Sequence, residues 1–143
     1  MLAGWVKRVS LYWQKNMNKK ILIAEDEEDI LELLSTILGD FGDYEILCAR
    51  DGEETLRIAR VDNPDIILLD IQLPKLNGYE VCKLVKSDPT MSQTKVLMIS
   101  GMAQNSDWQK AREAGADSYI IKPFSSIELV EKVEELLSIN QRN

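Results

Sequence analysis

Histidine is absent from the 143 residues of the chain, and cysteine occurs only twice. Without histidine the chain cannot build a Ser-His-Asp or Cys-His catalytic site, or a zinc or haem site with imidazole ligands. Cys48 and Cys82 form no CxxC pair, which argues against a metal knuckle or a redox pair. Because both lie in apolar stretches, we expect buried thiols and a reducing compartment.

Long apolar runs are also missing. No stretch approaches the roughly 18 consecutive apolar residues of a membrane-spanning helix. The composition, 45% hydrophobic and 29% charged, is instead typical of a soluble globular protein, and the length suits one domain. We therefore expect a single cytoplasmic domain.

Charge is distributed unevenly along the chain. Residues 1–20 hold five of the 17 basic side chains and none of the 24 acidic ones, although the whole chain has a net charge of −7. The remainder is strongly acidic and would repel a phosphate backbone. Direct binding of nucleic acid by the main domain is therefore not expected.

The basic N-terminal stretch carries apolar residues at roughly helical spacing: Leu2, Trp5, Val6, Val9 and Trp13. One interpretation is a basic amphipathic anchor for a membrane surface or a partner's groove. The other, which we favour, is a tail outside the fold. We expect residues 1–18 to be an extension, residues 19–143 to form the domain, and any membrane contact to involve residues 1–16 only.

From Lys20 onward, short apolar runs alternate with amphipathic segments. The apolar runs predict five strands: Ile21–Ala24, Tyr44–Ala49, Asp65–Leu69, Val96–Ile99 and Ser118–Ile121. The amphipathic segments predict five helices: Glu27–Leu38, Gly52–Val61, Tyr79–Ser87, Asn105–Ala114 and one from Ser125 or Ser126 to Ile139. This (βα)5 pattern is an α/β class fold, a doubly wound parallel five-stranded sheet of flavodoxin-like type with strand order 2-1-3-4-5.

Helix ends and helix faces can be predicted in more detail. Gly39 is expected to stop the first helix, and Asp51 to cap the second. Trp108 in the fourth helix is expected to be exposed. The first helix should turn one set of residues inward: Ile30, Leu33, Leu34, Ile37 and Leu38. The last helix should bury another set: Ile127, Val130, Val133, Leu136 and Leu137.

The polar residues that follow the strands should meet at one edge of this sheet. They are Glu25 and Asp26 after strand 1, Asp70 after strand 3, Ser100 after strand 4 and Lys122 after strand 5. In a doubly wound sheet the carboxyl ends of the strands form the ligand site. Three carboxylates together stay ionised only beside a cation, and an all-oxygen, water-accessible site suits Mg²⁺. The sequence therefore predicts a magnesium site.

Phosphoryl transfer fits this set of residues. A metal beside Asp70 would neutralise an incoming phosphoryl group, so that the carboxylate can attack phosphorus. Ser100 could hydrogen-bond one phosphoryl oxygen, and Lys122 could pair with another. No general base is needed, because a carboxylate is already ionised at neutral pH.

The chain resembles the receiver domains of two-component response regulators over residues 19–139. The resemblance rests on five segments in the expected order: Ile21–Glu27, Asp65–Pro74, Asn77–Gly78, Val96–Gly101 and Gly115–Phe124. It implies that Asp70 is the phosphoacceptor and that Ser100 and Tyr119 are the switch residues. Lys122 matches the lysine that completes the site.

The resemblance also implies a metal ligand set for Mg²⁺. Glu25 and Asp26 match the acidic pair that binds the metal together with Asp70, and the backbone carbonyl of Gln72 matches the remaining protein ligand. Glu25 stands where the family more often has Asp, and Gly101 where it usually has Ala. We expect metal binding to survive the first change and the second to loosen the loop after strand 4.

The implied function is that of a stand-alone receiver rather than an enzyme in the ordinary sense. It would take a phosphoryl group from a partner histidine kinase or histidine phosphotransfer protein and change the surface of helix 4, strand 5 and helix 5. Its downstream target would be another protein. A phosphorylation-independent docking module of the pseudo-receiver type remains an alternative. A phosphatase similar to the haloacid dehalogenases fits less well, because its nucleophile ends strand 1 within a D-x-D motif.

Overall fold

The computed structural model describes residues 19–101 and 105–141. The predictions for the N-terminal extension, residues 1–18, lie outside these residues. Among the helices in the described part of the chain, none has the length and apolar character needed to cross a membrane.

Five strands and five α-helices alternate along the described chain. The strands are β1 (Lys20–Ala24), β2 (Glu45–Ala49), β3 (Ile66–Asp70), β4 (Lys95–Ser100) and β5 (Ser118–Ile121). The helices are α1 (Glu28–Phe41), α2 (Gly52–Asp62), α3 (Gly78–Ser87), α4 (Asn105–Glu113) and α5 (Ser126–Gln141). A 3₁₀ turn, Pro89–Met91, separates α3 from β4.

All neighbouring strands pair in parallel, in the order β2-β1-β3-β4-β5. The fold class and the strand order predicted from the sequence are therefore confirmed. In the central pair, Ile21 stands opposite Ile66 and Ala24 opposite Leu69. Every residue of β3 is buried, as expected for a strand with helices on both sides.

Alternation of side chains along the strands divides the core into two layers. Leu22 and Ala24 of β1 face the layer that holds α2, α3 and α4. Ile21 and Ile23 face the layer that holds α1 and α5. Each helix therefore needs only one apolar face, and the helical layers leave the carboxyl edge of the sheet free for polar residues.

Three helix starts are fixed by side-chain oxygens. Asp51 accepts a hydrogen bond from the amide of Glu54 at 2.7 Å, which confirms it as the N-cap of α2. Asn77 does the same for α3, accepting from the amide of Glu80 at 3.0 Å. For α5, Ser125 rather than Ser126 accepts, from the amide of Glu128 at 3.1 Å.

Two predictions about α1 are wrong. The helix continues through Gly39 to Phe41, because glycine only weakens a helix and the turn around it is held by the buried Leu38. Leu33 is 55% exposed, and Leu31 is buried in its place. The other four predicted residues contact the core, Leu34 and Leu38 buried and Ile30 and Ile37 partly buried. Leu31 and Leu33 lie at opposite edges of one apolar face, so the error concerns only which edge of that face is packed.

The last helix shows the same kind of error. Ile127 is 65% exposed, whereas Leu129, which was not predicted to face inward, is fully buried. The other four predicted residues of α5, Val130, Val133, Leu136 and Leu137, are buried as predicted. Of the cysteines, Cys82 is buried and Cys48 is half-buried, and both are free thiols.

Candidate functional site

The carboxyl ends of β1, β3, β4 and β5 bring a set of polar residues to one edge of the sheet. Asp70 is the last residue of β3 and Ser100 the last of β4, while Glu25 follows β1 and Lys122 follows β5. Each apolar strand is held between the helical layers up to this point, so its first polar residue emerges at the same level as those of its neighbours. Glu25, Asp70 and Ser100 are nevertheless buried, with exposures of 2%, 6% and 2%.

Lys122 joins two of the three predicted carboxylates. Its Nζ lies 2.6 Å from Oδ2 of Asp70 and 3.2 Å from Oε1 of Glu25, and it donates to both. The backbone amide of Lys122 donates to the carbonyl oxygen of Ser100 at 2.8 Å. One ammonium group therefore stands between two buried carboxylates, in a position fixed by the end of β4.

The proximity of these charges shifts their protonation equilibria. Burial, followed by the charge of Asp70, raises the pKa of Glu25 from 4.5 to about 7. Burial disfavours the charged form of Lys122, but the hydrogen bond and charge of Asp70 outweigh it and raise the pKa of the ammonium. Two carboxylates thus share one cation, and the negative charge of the pair is only half balanced.

Backbone amides hold both carboxylates in place. The amide of Gln72 donates to Oδ1 of Asp70 at 2.8 Å, and the amide of Glu27 donates to Oε2 of Glu25 at 3.2 Å. The contribution of Glu27 was not predicted, although the acidic run at the start of α1 was visible in the sequence. Gly78 was recognised from the sequence only as part of the segment Asn77–Gly78, with no role of its own. A Cβ there would lie 2.7 Å from the backbone oxygen of Asp70, so the packing requires glycine.

Two predicted metal ligands lie at the edge of this cluster. Asp26 and Gln72 are both exposed, unlike the buried Glu25 and Asp70. Across residues 19–101 and 105–141, no three histidine, cysteine, aspartate or glutamate side chains are grouped in an arrangement that could hold a metal ion. The structure therefore brings together two of the three predicted carboxylates, with Lys122 between them.

The donor set nevertheless fits a magnesium ion. The available ligands are carboxylate and carbonyl oxygens, which Mg²⁺ prefers. Burial, and after it the charge of Asp70, raises the pKa of Glu25 and so disfavours its ionised form. A divalent cation bound there would supply positive charge that favours the ionised form.

The predicted switch residue Tyr119 lies on β5, opposite Met98 of β4. It is half-buried, and its ring meets that of Trp108 edge to face, with centroids 5.5 Å apart and an interplanar angle of 62°. Trp108 was predicted to be exposed, but it is half-buried against the core. Its indole finds an aromatic partner on β5, a tertiary contact that the pattern of α4 alone does not indicate.

Comparison with known proteins gives a consistent result. Residues 21–134 match the family model described as the response regulator receiver domain. The chain is 43% identical over 121 residues to the alkaline phosphatase synthesis transcriptional regulatory protein PhoP of Bacillus subtilis, covering 85% of this chain and 49% of PhoP. It is 36% identical over 121 residues to the polar-differentiation response regulator DivK of Brucella ovis, covering 85% of this chain and 98% of DivK.

A solved structure shows the same fold. The chemotaxis response regulator CheY4 of Vibrio cholerae superposes with a TM-score of 0.78 and 29% identity, over 82% of this chain and 98% of CheY4. The chain spans about half the length of the transcriptional regulators that it matches, PhoP among them. The likeness to those longer proteins is therefore confined to one part of each.

Proposed function

The chain belongs to the response regulator receiver domain family of two-component systems, and on that premise we propose that Asp70 accepts a phosphoryl group from a phosphohistidine. The donor is a partner histidine kinase or histidine phosphotransfer protein, since this chain has no histidine of its own. The observation that carries the proposal is the position of Asp70, buried at the end of β3 with the Nζ of Lys122 2.6 Å from its carboxylate.

The transfer itself exchanges one bond for another. An oxygen of Asp70 forms a bond to phosphorus, while the P–N bond of the phosphohistidine breaks and its electron pair returns to the imidazole nitrogen. Lys122 is placed to transfer its ionic contact from the carboxylate to a phosphoryl oxygen, and the hydroxyl of Ser100 to donate to another. No proton has to be removed from the nucleophile.

We assign the metal to the same edge of the sheet. Glu25, Asp26, Asp70 and the backbone carbonyl of Gln72 would hold Mg²⁺, which supplies positive charge to the phosphoryl oxygens. The partial balance of charge between Glu25 and Asp70 supports this assignment. Binding would require Lys122 to share Asp70 with the ion.

Output would follow from a change in conformation. The new phosphoryl group would draw Ser100 toward it, and Tyr119 would turn into the space that is vacated. The surface of α4, β5 and α5 would then bind a downstream protein, with no direct contact to nucleic acid. We propose a cytoplasmic protein that catalyses only its own phosphorylation and dephosphorylation. The stand-alone arrangement stays a prediction.

The test is phosphorylation of the full chain by acetyl phosphate in Mg²⁺, with Asp70→Asn as the matched variant. We expect mass spectrometry to show one phosphoryl group on the wild type, none on Asp70→Asn, and loss of the label at alkaline pH, as for an acyl phosphate. Equal labelling of both proteins would contradict the assignment of Asp70. No labelling of either would favour a phosphorylation-independent docking module.

A further inference from the structure

The start of α2 lies directly against the loop that follows the phosphoacceptor. The amide of Gly52 donates to the carbonyl oxygen of Pro74 at 3.0 Å, and the amide of Leu76 donates to the same oxygen at 2.8 Å. Gly52 is buried and is the first residue of α2. Residues 71–77 are therefore tied to an element that carries none of the predicted site residues.

Gly52 is required here by proximity rather than by backbone conformation. Its φ does not lie in the left-handed region, so an L-residue could adopt the same backbone without strain. A Cβ on Gly52 would instead overlap the carbonyl oxygen of Leu76 and lie 2.5 Å from the Cβ of Leu76, where ordinary contact begins at 3.4 Å. Both atoms belong to Leu76 in the loop, so a side chain added at position 52 would push the loop away from α2.

A second contact ties the same loop to the same helix start. The Nζ of Lys75 lies 3.5 Å from Oδ2 of Asp51 and 3.9 Å from Oε2 of Glu53. The two carboxylate oxygens of Asp51 make different contacts. Oδ2 faces Lys75, and Oδ1 accepts the hydrogen bond from the amide of Glu54 that caps α2. Lys75 has a φ of 70°, an uncommon conformation for a residue with a side chain, so the loop here follows a course that its surroundings must hold.

At its other end the loop is bound to the phosphoacceptor. The amide of Gln72 donates to Oδ1 of Asp70 at 2.8 Å, and the amide of Gly78 donates to the carbonyl oxygen of Ile71 at 2.8 Å. Only Leu73 separates Gln72 from Pro74. We therefore expect a displacement of Pro74 and Leu76 by α2 to reach the peptide of Gln72, because few backbone dihedral angles lie between them to absorb it.

From these contacts we infer that the start of α2 positions the metal-binding loop, with Gly52 as a positioning residue that acts through Pro74 and Leu76 on Gln72. The inference rests on the proposed function. It assigns to α2 the placement of the Gln72 carbonyl relative to Asp70. Outer contacts of this kind change metal affinity by about 10- to 100-fold when they are lost.

The test compares Gly52→Ala with Gly39→Ala in the full chain labelled with ¹⁵N. Both variants add one methyl group to a helix, but a Cβ on Gly39 meets nothing within 4 Å. Three quantities are measured: the amide resonance of Gln72, the Kd for Mg²⁺ by titration, and the rate of phosphorylation by acetyl phosphate at saturating Mg²⁺. For Gly52→Ala we expect a shifted Gln72 resonance and a Kd raised about tenfold, and for Gly39→Ala no change in any of the three.

A folded Gly52→Ala protein with the wild-type Gln72 resonance and Kd would overturn the inference. If that variant does not fold, Lys75→Ala provides the test, because the Lys75 side chain is 57% exposed and its loss is expected to cost the fold little stability. We expect Lys75→Ala to shift the Gln72 resonance and to raise the Kd about twofold, and an unchanged resonance and Kd would overturn the inference. A wild type that neither binds Mg²⁺ nor accepts phosphoryl would instead refute the proposed function, while the Gln72 resonance would still report on the contact with α2.

Discussion

Glu25, Asp70 and Lys122 form a cluster in which negative charge exceeds positive charge. The two carboxylates are buried, and Lys122 contacts both, at 3.2 and 2.6 Å. Burial and the repulsion from Asp70 account for the raised pKa of Glu25. We therefore expect the excess negative charge of this cluster to destabilise the metal-free protein, as is common where function and stability compete.

Removing a carboxylate from this cluster and removing its ammonium group should change the free energy of unfolding in opposite directions. Asp70→Asn leaves one carboxylate with one ammonium, so we expect the free energy of unfolding to rise by about 1 kcal/mol in metal-free buffer at pH 8. Lys122→Met leaves two buried carboxylates unpaired and should lower it by about 1–3 kcal/mol. Urea denaturation measures both values.

The increase in the free energy of unfolding that we expect for Asp70→Asn should depend on pH. The pKa of Glu25 in the folded protein, about 7, lies above its ordinary value of 4.5, so the folded state holds the proton more tightly than the unfolded state. The contribution of Glu25 to wild-type stability is therefore fully present below its ordinary pKa of 4.5 and is lost as the pH rises through 7. The difference between Asp70→Asn and the wild type should shrink at pH 5. A destabilised Asp70→Asn at pH 8 would show that the ion pair outweighs the repulsion.

The residues of the site were predictable, but their contacts were not. A polar residue that follows an apolar run in a parallel strand must lie at the carboxyl edge of the sheet, and this rule placed Asp70, Ser100 and Lys122. The rule predicts only that these residues lie at the carboxyl edge of the sheet, not which of them are in contact. Whether Lys122 reaches Asp70 and Glu25, or Asp26 turns outward, depends on side-chain packing between strands that are distant in sequence.

Among the helices, α1 shows what a local pattern leaves open. Leu31 and Leu33 lie at opposite edges of one apolar face, so the pattern was consistent with burying either of them. Packing against α5 and the sheet selects Leu31, Leu34 and Leu38. In α5, Leu129 is buried instead of Ile127, in the core layer that α5 shares with α1 and the sheet. Periodicity thus predicted each helix and most of its buried face, but not which residue at the edge of that face is buried.

The glycine inside α1 gives a prediction at the level of this element. Gly39 lies in the last turns of the helix, exposed, with open space where a Cβ would stand. Gly39→Ala should therefore raise the free energy of unfolding by about 0.5–1 kcal/mol, since alanine loses less backbone entropy in a helix. Urea denaturation would show this as a higher midpoint at an unchanged slope. An unchanged or lower midpoint would mean that α1 frays before Gly39 in solution.

At the scale of the whole molecule, the polarity of the sheet concentrates function at one edge. All five strands run in the same direction, so the four that supply site residues present them together only when β1, β3, β4 and β5 are paired in register. Contacts across the site, such as Lys122 with Glu25, join residues 97 positions apart. Ligand binding at this edge should therefore stabilise the sheet as a unit and not one loop.

Magnesium should accordingly raise the global stability of the protein. An ion that binds only the folded state contributes RT ln(1 + [Mg²⁺]/Kd), about 1.4 kcal/mol at ten times the Kd. For a domain of this size that corresponds to roughly 4–6 °C in Tm, measurable by thermal denaturation followed by circular dichroism. The effect should largely disappear in Asp70→Asn, which has lost one carboxylate ligand, while KCl of equal ionic strength controls for screening of surface charge. Equal stabilisation of both proteins, or equal stabilisation by KCl, would place the ion away from the carboxyl edge of the sheet, because only binding at Asp70 makes the response depend on that carboxylate.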